Sequence, residues 1–222
     1  MLDALRVLWK TLQDLWGEMF YLVLMNLLTL VLMLLVIPGP PAWVALCAVC
    51  NRVANDYAIS WETYFRAFRA HFLKAWLYSL ASLVAIALIG LNFWWYGAVF
   101  GNQEWAQWVR GAWLAAAVFW VVINFYIVAF YLEQEDRRWR IAFRNALLTA
   151  GAFPLFTLAL LIVGGVIMAI AVVFTPLFVM IGPAFWALLG SEAVANRLRA
   201  WQARAAARMG ESPSEQKAEQ PW

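Results

Sequence analysis

Few side chains in this 222-residue sequence could perform acid–base, nucleophilic or metal chemistry. Cys47-x-x-Cys50 offers two thiols, half of a tetrahedral zinc set, with no second pair or neighbouring histidine to complete it. A disulfide between positions one helical turn apart is strained, so the pair reads as small buried residues at a helix interface. His71 is the single histidine. It falls in a basic, aromatic segment and reads as a solvated surface side chain. The apolar stretches beyond Ala75 hold no ionisable group within a crossing before Glu192. Proton relays, ion-coupled transport and intramembrane proteolysis need such groups at membrane depth. The expectation is a protein with no catalytic residue, no metal and no cofactor. Asn26, Asn92 and Asn124 are amides inside otherwise apolar runs, each able to bond across a helix interface for about 0.6–2 kcal/mol. Alternatively the three form an intramembrane polar site with Trp94 and Trp95, whose ring faces suit sugars or lipid headgroups. The same tryptophans, with Tyr96, Trp105 and Trp108, would also make an interfacial belt.

The elements that must position these residues follow from composition. At 65% hydrophobic, 13% charged and a mean hydropathy of +0.72, an ordinary soluble domain is excluded. A net charge of +3 is too small for a nucleic-acid-binding protein. The expected fold is all-α, a polytopic membrane bundle of six transmembrane helices with amphipathic helices at the cytoplasmic interface. Apolar runs place the crossings at about 19–37, 41–57, 75–97, 111–132, 153–173 and 175–194. Pro38-Gly39-Pro40-Pro41 ends the first, because proline lacks the amide donor. The second is strongly apolar only at its start, and a re-entrant segment is its alternative. Residues 1–18 lack the core of a signal peptide, so the first crossing is expected to be retained. Residues 1–199 form a single membrane domain, and 200–222 read as an amphipathic run and then a disordered cytoplasmic tail. Six crossings put both termini on one side with 52–74 and 133–150, and with every Lys and Arg except Arg110. The positive-inside rule makes that side cytoplasmic.

Each expected hairpin follows an amphipathic, aromatic and basic segment, which predicts three copies of one unit. Leu5, Leu8, Trp9, Leu12, Leu15 and Trp16 give the first its helical stripe. The second begins after Ser60, a good N-cap, and Trp61-x-x-x-Phe65-Arg66 matches Trp139-x-x-x-Phe143-Arg144 of the third. Gly39-Pro40-Pro41-Ala42-Trp43 likewise resembles Gly182-Pro183-Ala184-Phe185-Trp186. Trp61, Phe65, Arg66, Phe68, Arg69, Trp139, Arg140, Phe143 and Arg144 are candidates for docking a partner. Anionic lipid at the inner surface would use the same arginines, at about 1 kcal/mol each. The acidic cluster Glu133-Gln134-Glu135-Asp136 beside Arg137-Arg138 favours a protein partner, since lipid attraction does not explain it.

The order Asn26, Pro41-Ala42-x-x-Ala45-Leu46, Arg52, then Trp61-x-x-x-Phe65-x-x-Phe68-x-x-x-Phe72-x-Lys74 resembles the YesL-like family of bacterial membrane proteins. Trp139-Arg140-Ile141-Ala142-Phe143-Arg144-Asn145-Ala146-Leu147-Leu148, followed by Pro154-Leu155, is similar to a second segment of that family. The resemblance covers about residues 5–190 and departs in the loop at 133–140 and in the long tail. It implies a protein of the bacterial inner membrane with an accessory role beside carbohydrate ABC importers. It supplies no catalytic residue. A small permease or channel with a polar site between its helices is the alternative expectation.

Overall fold

Nothing between Ser60 and Gly90 can break a helix, and in the computed structural model, which describes residues 2–101 and 103–209, this stretch lies in one helix. Eight helices and no strand occur among the described residues. They are α1 Leu2–Gly17, α2 Met19–Leu34, α3 Gly39–Ala54, α4 Trp61–Phe100, α5 Glu104–Glu133, α6 Trp139–Ala152, α7 Pro154–Val173 and α8 Thr175–Met209. The run after Arg199 continues α8, and the expected disordered tail at 210–222 lies outside the described residues. Ser60 caps α4, its hydroxyl accepting from the Thr63 amide at 3.3 Å, while proline opens α3 and α7 where no amide donor is needed.

The 40 residues of α4 measure about 60 Å, twice the hydrocarbon thickness of about 30 Å. Its apolar remainder past Lys74 is long enough to cross with the charged first turns left outside the hydrocarbon. Of the six expected crossings, four helices, α4, α5, α7 and α8, are long and apolar enough. A fifth arises only if α1 and α2, bent by 89° at Gly17–Glu18, are counted as one. At 16 residues each, α2 and α3 reach about 24 Å and fall short. Their connecting tip, Leu34-Leu35-Val36-Ile37, exposes all four apolar side chains, and the Ile37 carbonyl accepts from Trp76 Nε1 of α4 at 2.9 Å. α3 is buried along most of its length against α2, α4, α5 and α8. Its neighbours are protein rather than lipid, which explains why its sequence is less apolar than a crossing. The charge distribution does not separate six crossings from four: if neither α2 nor α3 crosses, the termini, 52–74 and 133–150 still share one side.

The three amphipathic segments are not built alike. The first is a separate helix set across α2, the second is continuous with its crossing, and the third is a separate helix ended before Pro154. Gly39-Pro40 starts a helix, whereas Gly182-Pro183 lies inside one.

α5 and α8 cross closely at Gly190, where an added Cβ would stand 2.8 Å from the Phe125 carbonyl oxygen. Backbone cannot swing aside as a side chain can. Gly190→Ala is expected to cost about 1–3 kcal/mol, read as a lower thermal midpoint in detergent. Gly165→Ala, with nothing within 4 Å of its Cβ, should leave the midpoint unchanged or raise it.

Candidate functional site

The three amides do not share a site. Asn26 is fully buried and bonds to α8 across the Pro183 break. Its Nδ2 donates to the carbonyls of Val179 (2.8 Å) and Met180 (3.1 Å), and its Oδ1 accepts from the Ala184 amide at 3.0 Å. A regular helix would pair Val179 O with the amide of residue 183, which proline lacks, and Met180 O with Ala184 N. One side chain thus replaces both lost rungs. Asn124 donates to the Trp120 carbonyl of its own helix at 2.8 Å and accepts from the Tyr78 hydroxyl and from Ser82 Oγ (3.3 Å) of α4. Asn92 lies ten residues past Ser82 on α4, about 15 Å away, and donates to its own Leu88 carbonyl at 2.8 Å. Asn92 and Asn124 therefore neither pair nor line one cavity, and the three amides are not brought together with Trp94 and Trp95. Trp94 and Trp95 are exposed on the same end of α4, where a belt would lie. The cavity beside Asn124, lined also by Cys47, Trp43, Trp186 and Ser191, holds about 30 Å³. That admits a water molecule and not a sugar. Cys47 and Cys50 are free thiols buried in α3.

The basic, aromatic end is where the side chains cluster. His71 is 3% exposed, not solvated as its sequence neighbours suggest. Arg137 Nη1 lies 3.1 Å from Nε2 and donates to it, which assigns the imidazole proton to Nδ1, 3.0 Å from the Tyr131 hydroxyl. Burial, then the Arg137 and Lys74 cations, pull this imidazole down to about 4, so it is neutral at pH 7. The signal was present in the spacing: Tyr64, His71 and Tyr78 recur every seven residues, on one stripe of α4. Tyr131 in turn stacks on Trp139 at 3.7 Å, and Trp139 on Tyr78 at 4.5 Å.

The docking candidates separate into two groups. Trp139 is consumed by that stack and by donating Nε1–H to the Lys74 carbonyl at 3.0 Å. Phe68 is half-buried against Phe72. Trp61, Phe65, Arg66 and Arg69 of α4 and Arg140, Phe143 and Arg144 of α6 remain exposed, Phe143 beside Trp120 of α5. A second polar cluster was not foreseen. Lys10 of α1 donates to Glu192 of α8 (2.8 Å) and to Asp14 (3.0 Å), while Arg197 bonds Asp3 at 3.1 Å and covers the Phe156 ring at 3.7 Å.

A family model described as "Protein of unknown function, DUF624" matches residues 19–93. Over α2, α3 and most of α4, this chain is similar to that family. No curated protein and no solved structure matches it. The matched stretch includes Asn26, Arg52, Arg66 and His71, and stops short of Asn124, Arg137 and Glu192.

Proposed function

We propose that this chain is a non-enzymatic accessory or regulatory protein of a bacterial inner membrane, with the exposed α4 and α6 side chains as its contact surface. The arrangement proposed is four crossings and a re-entrant α2–α3 hairpin, with both termini and the loop at 134–138 cytoplasmic. The YesL-like resemblance, with which the DUF624 match is compatible, implies a carbohydrate ABC importer as the partner, with anionic lipid around the same arginines. One observation supports this reading over a transport module. The buried amides within the membrane are spent on the protein's own backbone and side chains, while aromatic and cationic groups stay exposed at the basic end.

Charge reversal tests it at positions away from the packed stack. Arg69→Glu with Arg144→Glu should leave membrane insertion intact, because many other basic residues hold the orientation. Co-purification of transporter subunits from native membranes in mild detergent should fall severalfold. Undiminished partner recovery, with loss of affinity for anionic vesicles alone, would make these helices lipid anchors and remove the accessory reading.

A further inference from the structure

Between the end of α3, the first turns of α4 and the α5–α6 loop lies an open cleft of about 350 Å³. Arg52, Arg66 and Arg137 line it, with Asn51, Thr63 and His71. Two carboxylates border it and bond to its lining. Glu133 accepts from Asn51 and Asn55 at 2.6 and 2.8 Å, and Glu62 pairs with Arg66 along α4. Among the described residues, neither Arg52 nor Arg137 has a carboxylate within 4.0 Å. Arg52 spends its guanidinium on the Ala58 carbonyl (3.0 and 3.1 Å), and Arg137 donates to a neutral imidazole. Arg137 is held there with φ at +47°, a conformation costing an L-residue about 1–3 kcal/mol. Arg52 and Arg137 thus face one cleft without carboxylate partners and repel one another, and an anion entering it removes that repulsion.

We propose that this cleft binds a phosphate-bearing anion, held by Arg52 and Arg137 above His71, with Arg66, paired to Glu62, beside it. Guanidinium forks match phosphate oxygens, and Asn51 and Thr63 border the same space. The anion arrives either as the headgroup of an anionic lipid or as a free phosphate compound from the basic side. The site does not depend on the accessory reading, and its test avoids Arg69 and Arg144.

His71 is the single histidine of the chain, so its imidazole signal is an unambiguous reporter. The groups facing it are Arg137 and Tyr131 from α5 and its loop, and Lys74 on its own helix, with Arg52 and Asn51 across the cleft. Full-length protein carrying isotope-labelled histidine is placed in maltoside micelles, which contain no phosphate, at constant ionic strength set with sodium chloride. Inorganic phosphate is titrated in one arm and phosphatidylglycerol is mixed into the micelles in the other. Binding should move the His71 resonances saturably and raise its pKa by about one unit, because the anion offsets the Arg137 cation. Arg52→Gln and Arg137→Gln should each weaken binding about tenfold or more, while the lysine variants at both positions keep part of it. A response to phosphate places the source in solution, and a response to phosphatidylglycerol alone places it in the membrane. No saturable shift in either arm, or an equal shift when both arginines are glutamine, overturns the proposal.

Discussion

Asn26→Leu is expected to destabilise the bundle by about 3 kcal/mol, and adding Pro183→Ala to the same chain is expected to return most of that loss. Leucine strands the Val179 and Met180 carbonyls and the Ala184 amide among apolar neighbours, three backbone groups that the Asn26 amide now satisfies. An unpaired buried polar group costs about 1–3 kcal/mol, less where the chain can tilt toward another partner. Alanine at 183 supplies the missing N–H to Val179 O and lets Ala184 N return to Met180 O, so the ladder closes without the amide. Pro183→Ala alone should also be unfavourable, because Asn26 would then be the buried group without partners. Both single variants therefore lose stability and the double variant loses little, a coupling opposite in sign to additivity. Denaturation midpoints of the four proteins in maltoside micelles measure it. Additive losses would mean that packing around α8, not the amide, maintains the helix through the proline.

That bond illustrates where the sequence is legible and where it is not. The apolar runs of α4, α5, α7 and α8, the Ser60 cap and the break at Pro38–Pro41 are local, and each is readable from spacing and residue type. The count of helices long and apolar enough to cross was not, because α3 owes its burial to α2, α4, α5 and α8, and hydropathy reports lipid exposure rather than protein burial. Asn26 was visible as an odd residue, yet its role depends on Pro183 in a distant segment, and no periodicity within α2 points there. Of the proposed contact surface, the exposure of Trp61, Phe65, Arg66 and Arg69 follows from the amphipathic face of α4. Trp139 looks equivalent to Trp61 by spacing, but α6 is packed along α5 and turns it onto Tyr131, while Phe143, beside Trp120, stays about as exposed as Trp61. His71 was misread because its neighbours in sequence are charged while its neighbours seven residues away are the buried and half-buried tyrosines.

Removal of the Lys10 ammonium should have the second large effect, and it should be local to α1. Lys10 is the cation that meets Glu192, which is 1% exposed, and it also holds Asp14 and the Ala54 carbonyl (3.4 Å). Lys10→Met leaves the Glu192 carboxylate buried beside α1 without a counter-charge. Breaking a buried pair from one side costs about 3–5 kcal/mol. The Lys10 side chain is 32% exposed, so solvent screens part of the interaction and about 2 kcal/mol is expected. Lys10→Met with Glu192→Gln removes the stranded charge and should recover at least half of the loss. Lys10→Arg should be nearly neutral, since the cation is kept. The loss should appear first as faster amide hydrogen exchange along α1, which docks on α8 through this pair and through Asp3–Arg197. Exchange in α4 and α5 should not change. If α1 protection survives Lys10→Met, the helix is held by its apolar face, Ala4, Val7, Leu8 and Leu15, and the ion pair contributes nothing to its docking.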